Sequence, residues 1–283
     1  MKRLAAFFVA LFLVCCIAAL SENTNDVHIQ ILLTSDIHGA VIDSDYSSGD
    51  AATVQDVSLA RLASVIKEKR AANPNTLLID NGDTVQGTPL SYYYAFCQTE
   101  EADPVMKALR LLGYDAWVLG NHEFNYGMEV LTKQISEVSA PATETESSVD
   151  VLAANFVAHG ADDFTPWQQA YIVKEFGGVK VGVIGMDTPS VLIFEEPKNW
   201  EGIDFKTFLT TWEHYSSILK EQEGCDIVVL CCHSGIGERN GTLADAADLE
   251  PAMNLEGLYY DNSINALMPQ KVNRMAAHMI TAF

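Results

Sequence analysis

Apolar residues recur along this chain in two periods, and the alternation of the two predicts a layered α/β protein. Residues 28–34 (HIQILLT), Thr76–Asp80, 115–119, 151–154 and 226–232 (DIVVLCC) are short β-prone runs, each predicting a core strand. Between them, residues 57–71 place Val57, Leu59, Leu62, Val65 and Ile66 on one helical face, and Asn73-Pro74-Asn75 stops the helix. Pro104–Leu112 and residues 127–138 predict two more helices, and residues 205–221 an amphipathic one. Two β-prone runs, 170–176 and 179–185, flank Gly177-Gly178, which predicts a hairpin and an antiparallel component. Residues 42–57 and 140–150 are polar and predict loops. No internal repeat or low-complexity segment interrupts this order.

The first segment stands apart. Lys2-Arg3 precedes an unbroken apolar run over residues 4–20 that closes on Ala18-Ala19, the pattern of a secretory signal peptide. A membrane anchor is the alternative, since the run approaches the ~20 residues that span a bilayer. Cys15 and Cys16 raise a lipid-modified cysteine, but Phe12-Leu13-Val14 lacks the small residue expected before it. The expectation is a secreted, periplasmic or cell-surface protein with no stable membrane span after cleavage.

Charge narrows the partners. A formal net charge of −21 over 283 residues argues against a nucleic-acid polymer, which needs lysine and arginine. Bound divalent cations would offset part of that excess. Cys97, Cys225, Cys231 and Cys232 are too few for a disulfide scaffold. Cys231 and Cys232 lie in an apolar run and read as buried thiols. A Cys97–Cys225 bridge is an option in an oxidising compartment that the sequence leaves open.

Four polar clusters end apolar runs: Asp36-Ile37-His38, Gly82-Asp83, Gly120-Asn121-His122-Glu123 and His233-Ser234-Gly235. Side chains just past the ends of neighbouring strands converge in space. Asp36 and His38 are two apart, so an extended strand end would point both the same way. Asp83 can bridge two cations, Asn121 offers an amide oxygen and His233 an imidazole nitrogen. Such donors suit Mn, Fe, Zn or Mg more than a thiolate-seeking metal. Each cluster alone has a plain structural reading: a strand cap, a turn, a helix N-cap, a core histidine. Their joint occurrence at strand ends favours a metal centre.

Thr34-Ser35-Asp36-Ile37-His38-Gly39, Asp80-Asn81-Gly82-Asp83, Gly120-Asn121-His122-Glu123-Phe124-Asn125-Tyr126-Gly127 and His233-Ser234-Gly235 together resemble the calcineurin-type metallophosphoesterase superfamily, in its secreted nucleotidase branch. Gly87-Thr88-Pro89-Leu90 and Asn125 resemble the 2′,3′-cyclic-nucleotide 2′-phosphodiesterase/3′-nucleotidase type; the 5′-nucleotidase type usually has Asp where Asn125 stands. The resemblance implies an α-β-β-α sandwich and two divalent metal ions (Mn, Zn, Fe, Co or Mg). It implies that Asp36 and His38 hold the first metal, Asp83 bridges both, and Asn121 and His233 hold the second. Phosphoesters of nucleotides or cyclic nucleotides would be cleaved by a hydroxide that the two metals activate. His122, beside Asn121 at the substrate, would stabilise the transition state or protonate the leaving alkoxide. With Asn125 in place of Asp, any orienting of His122 is expected to be weaker or to come from elsewhere. Glu123 is expected to support local structure.

The resemblance breaks after His233. The superfamily completes its site with Gly-His-x-His at the end of a further strand, whereas residues 264–268 lead here into Pro269-Gln270-Lys271-Val272. The expected sandwich therefore lacks its last metal-binding strand and loop. The expected organisation is a signal peptide over residues 1–20, an incomplete catalytic domain over 21–268 and a divergent tail over 269–283. Val272, Met275, Ala276 and Met279 have helical spacing, which puts His278 on a short terminal helix. Two other readings stay open: a catalytically impaired relative or binding protein, and a 5′-nucleotidase or sugar-phosphate esterase. Oligomeric state has no signature in the sequence.

Overall fold

Leu77 and Ile79 of the second strand face one way and Leu78 the other, and both directions lead into packed interior. That double burial is what layers the molecule. The computed structural model describes residues 26–43, 58–161, 164–234 and, as backbone, 277–281. In chain order the first half holds β1 (Gln30–Thr34), α1 (Leu59–Ala72), β2 (Thr76–Asp80), α2 (Pro89–Phe96), α3 (Pro104–Leu112), β3 (Ala116–Val118), α4 (Met128–Val138) and β4 (Asp150–Leu152). The second half holds β5 (Phe156–Ala158), β6 (Tyr171–Phe176), β7 (Val179–Asp187), α5 (Val191–Phe194), β8 (Ile203–Phe205), α6 (Phe208–Ser217), β9 (Ile227–His233) and β10 (Ala277–Thr281).

One sheet has the order β1-β2-β3-β4, all parallel. The other has the order β10-β9-β7-β6, with only the β6–β7 hairpin antiparallel. A short β5–β8 ribbon lies apart. Leu77, Ile79, Ala116, Val118 and Leu152 of the first sheet pack against Ile172, Val181, Val183, Val229 and Cys231 of the second. On its outer face the first sheet turns Leu78 and Trp117 to Met106 and Leu109 of α3 and Leu131 and Ile135 of α4. The second turns Met186, Val228 and Leu230 to Phe208, Trp212 and Tyr215 of α6. The result is the expected α-β-β-α sandwich.

The sheets approach closely at Gly185, where a Cβ would lie 2.5 Å from the Leu152 Cβ and 2.9 Å from Val118 Cγ2. Gly185→Ala is therefore expected to cost about 1–3 kcal/mol by overpacking. The checking measurement is urea denaturation, with a lower midpoint at unchanged slope.

Several expectations need correction. Helix α2, itself an aromatic run without a clear apolar period, was not anticipated; its start is capped locally, with Thr88 accepting a hydrogen bond from Ser91 N and Pro89 in the first turn. The amphipathic helix begins at Phe208, not 205, because residues 203–205 are drawn into β8; it runs on into one π-helical turn, Ile218–Gln222. The chain around His278 is a strand, not a helix: β10 pairs in parallel along β9, with His278 opposite Val229 and Thr281 opposite Cys232. An open strand edge offers a row of backbone partners, which outweighs a weak helical spacing over a few residues. The further strand expected to be lacking is thus drawn beside β9; the residues before it (269–276) and after it, like residues 1–20, lie outside those described. All four cysteines outside the N-terminal run are free, Cys97 exposed and the other three buried, so no Cys97–Cys225 bridge forms. Among the described residues, no helix is long and apolar enough to cross a membrane.

Candidate metal centre

The loops that leave β1 and β2 are joined beyond the strands themselves. Asn81 N donates to Thr34 O (2.7 Å), Asp36 N to Gly82 O (2.9 Å), His38 N to Asp83 O (2.9 Å) and Gly39 N to Thr84 O (2.7 Å). Within this ladder Asp36, His38 and Asp83 have φ of 54°, 49° and 54°, in the left-handed region that costs a non-glycine residue about 1–2 kcal/mol. The flanking backbone bonds hold them there, as is common where side chains must be aimed. Asp36 and His38 do converge, with Oδ1 3.9 Å from Nε2. They do so through two left-handed residues, not through the extended backbone expected from their spacing.

Glycine lets the β2 and β3 loops touch. At Gly82 (φ 92°) a Cβ would stand 2.6 Å from Gly120 N, and at Gly120 one would stand 2.5 Å from Asp83 N and 2.6 Å from Asp83 Oδ1. At Gly82 the nearest atoms are the Gly120 backbone; at Gly120 they are Asp83 N and the carboxylates of Asp83 and Glu123. Gly120→Ala is expected to displace the Asp83 carboxylate and lower metal affinity by at least about tenfold, the scale of lost supporting contacts. Calorimetric titration with Mn²⁺ checks this.

Asp83 is the hub. Its Oδ1 accepts from His122 N (2.8 Å), and its Oδ2 lies 3.1 Å from His233 Nε2 and 3.9 Å from His122 Nε2. Burial alone would raise its pKa, but the hydrogen bond and charge of His233, with the His122 N–H, hold it below the usual carboxylate value. Burial would lower His233, yet the Asp83 hydrogen bond and the charges of Asp187, Asp83 and Glu123 push it up to about 10. His233 thus shares a proton with Asp83, and a cation here would replace that proton as the positive partner.

Both outer histidines are oriented by backbone carbonyls. His38 Nδ1 lies 2.7 Å from Gln86 O and His233 Nδ1 2.7 Å from Asn81 O. A carbonyl only accepts, so each Nδ1 carries hydrogen; Nε2 is then the ligand atom each ring can offer, at His233 once a cation displaces the proton shared with Asp83. The His38 and His122 rings stand edge to face, 5.1 Å apart.

Two buried acids organise the loops without entering the site. Glu123 accepts from Asp83 N (2.9 Å), Thr84 N (2.6 Å), Val85 N (3.3 Å) and Gly120 N (2.6 Å), which is the supporting role expected of it. Burial and the neighbouring Asp83 charge push its pKa up to about 7. Asp80, raised by burial to about 6, accepts from Thr34 Oγ1 (2.5 Å), Gly82 N (3.2 Å) and the Thr84 hydroxyl. Asp187 is a third buried acid, missed in the sequence although it too ends a strand; it lies opposite His233 in the β7–β9 register.

Of the residues singled out, Asp36, His38, Asp83, His122 and His233 are brought together. Two overlapping donor sets arise, His38/Asp83/His122 and Asp36/Asp83/His233, each with ligand atoms within 4.8 Å of one another. Carboxylate and imidazole donors sharing one carboxylate fit a pair of divalent cations. Asn121 opens the 3₁₀ turn Asn121–Phe124, one residue before His122. Gly235 lies outside the described residues.

Comparison with known proteins identifies the family. The family model described as calcineurin-like phosphoesterase matches residues 29–266. A trifunctional nucleotide phosphoesterase protein, YfkN of Bacillus subtilis, is 35% identical over 223 residues, covering 74% of this chain and 14% of that protein. A Haemophilus influenzae 2′,3′-cyclic-nucleotide 2′-phosphodiesterase/3′-nucleotidase is 29% identical over 265 residues, covering 89% of this chain and 38% of that protein. The crystal structure of YfkN superposes with a TM-score of 0.63 at 31% identity, covering 76% of this chain and 65% of that one. This chain therefore spans well under half the length of both curated relatives.

Proposed function

The chain belongs to the calcineurin-like phosphoesterase family, and from that membership we propose that it hydrolyses phosphoesters of nucleotides or 2′,3′-cyclic nucleotides with two divalent metal ions. The observation that carries this reading is the pair of donor sets sharing Asp83. By the family resemblance Asp36 and His38 would hold one ion, Asn121 and His233 the other, and Asp83 both, a division that differs from the two donor sets, which group Asp36 with His233 and His38 with His122. When bound, such a pair supplies an activated water and neutralises charge on the phosphoryl oxygens. The chain's own residues do the rest. His38 and His233 present Nε2 because Gln86 and Asn81 hold their Nδ1 atoms. His122 directs Nε2 toward the Asp83 side of the site, where it would give a proton to the departing alkoxide. Export through a signal peptide over residues 1–20 and a catalytic domain over 21–268 complete the proposal; its motivation is the Lys2-Arg3 start and the apolar run.

A second reading, impaired catalysis, has its own support. The superfamily resemblance calls for two more histidines at the end of the strand beside β9. In that place β10 sets Thr281 opposite Cys232, and His278 sits well back along the strand, opposite Val229. The expected result is weak metal binding and slow turnover. Metal analysis of the purified protein, with hydrolysis of bis-p-nitrophenyl phosphate and 2′,3′-cyclic AMP in Mn²⁺, decides between the readings. Two tightly held ions and rapid turnover would rule out impairment. No metal-dependent hydrolysis of any phosphoester would rule out the enzyme.

A further inference from the structure

Asn125 is a poor partner for a working histidine unless something stops its amide from turning over. An amide offers oxygen at one end and N–H at the other, and rotation of χ2 exchanges them at little cost. The Oδ1 of Asn125 lies 2.5 Å from His122 Nδ1. Its Nδ2 donates to Oε1 of Glu195, 70 residues away in the chain. The other oxygen, Oε2, accepts from Asn199 Nδ2 at 2.9 Å. Glu195 follows α5, and Asn199 sits in the 3₁₀ turn Pro197–Trp200.

An ionised carboxylate only accepts hydrogen bonds. Placed beside Asn125, it admits one amide orientation, N–H toward Glu195 and oxygen toward His122. An amide oxygen also only accepts, so His122 Nδ1 must carry hydrogen. Nε2 is then the one ring atom left to exchange a proton at the site, where it lies 3.9 Å from Asp83 Oδ2. Every link follows from the fixed polarity of its neighbour. We propose that Glu195 is a positioning residue which, through Asn125, sets the tautomer and ring orientation of His122. The carboxylate that the Asn125 position lacks is thus supplied one hydrogen bond further out. As a role in turnover this rests on the phosphoesterase reading; as a statement about the His122 tautomer it does not.

The test uses the full chain and three variants: Glu195→Gln, Asn125→Asp and the two combined. Glu195→Gln keeps the shape but lets either end of the new amide face Asn125. It is expected to lower kcat for bis-p-nitrophenyl phosphate by roughly 10–100-fold with KM unchanged, the usual scale for a partner behind a site residue. Asn125→Asp alone sets two carboxylates against each other and is expected to be impaired as well. The double variant exchanges carboxylate and amide, restores a continuous donor–acceptor chain, and should recover most of the lost kcat. Independently of turnover, ¹⁵N chemical shifts of His122 in the metal-free protein should report hydrogen on Nδ1, with a mixture of tautomers in Glu195→Gln. Unchanged shifts and kcat in Glu195→Gln, or a double variant no better than the singles, would overturn the proposal. Wild-type protein that hydrolyses nothing would remove the phosphoesterase reading, while the ¹⁵N shifts would still decide the tautomer.

Discussion

Asp83→Asn is expected to abolish metal-dependent phosphoester hydrolysis while leaving the fold intact. Asparagine keeps the size of the side chain and tolerates the φ of 54° at this position better than alanine, which would add backbone strain. It can keep the hydrogen bond from His122 N, now 2.8 Å from Oδ1. What it loses is the negative charge common to both donor sets. A neutral amide also cannot bridge two cations or balance the proton on His233. Metal affinity should fall by more than the roughly 100-fold that loss of an outer partner can cost. Metal content after dialysis and hydrolysis in Mn²⁺ provide the measurement. Retained activity in a folded Asp83→Asn protein would show that the site is wrongly assigned.

Glu123→Ala should have the largest effect on stability among the site variants. The Glu123 carboxylate takes four backbone N–H groups from two loops, at 2.6–3.3 Å, and is 0% exposed. Its loss strands those donors in the interior, where each unsatisfied group costs about 1–3 kcal/mol. Allowing for water entering the gap, roughly 3–5 kcal/mol is expected from that count. For a domain of this size that lowers Tm by on the order of 10 °C. Glu123→Gln keeps one acceptor and brings an NH₂ against N–H donors, so it should lie between the two. Thermal melts of the metal-free proteins separate this from any effect of metal binding. A Glu123→Ala protein as stable as wild type would mean that the β2 and β3 loops are held by the strands alone.

The candidate metal-site clusters were legible because each is local. Asp36-Ile37-His38, Gly82-Asp83 and Asn121-His122 stand directly after runs whose apolar period marks a strand, and parallel strands bring their C-terminal ends together. The Gly177-Gly178 hairpin was legible for the same reason. The three-residue strands β5 and β8 were not, whereas β3 and β4 of the same length were, because those two lie within the longer apolar runs 115–119 and 151–154. The strand at Ala277–Thr281 was misread because pairing with β9 is a property of the partner's edge and not of the segment's own spacing.

By itself, then, the sequence determined the layered α/β order, the strand-end placement of Asp36, His38, Asp83, His122 and His233, and their suitability for divalent cations. Those features follow from the residue types and periods of short segments. Only the tertiary structure decided how the donors are aimed: the left-handed backbone at Asp36, His38 and Asp83, the carbonyls behind His38 and His233, the reach of Glu123 and the link from Glu195 to His122. The long-range contacts among them join residues 38 to 152 positions apart. A hydrogen bond constrains two groups only once folding has brought them within about 3 Å, so no local pattern could announce them.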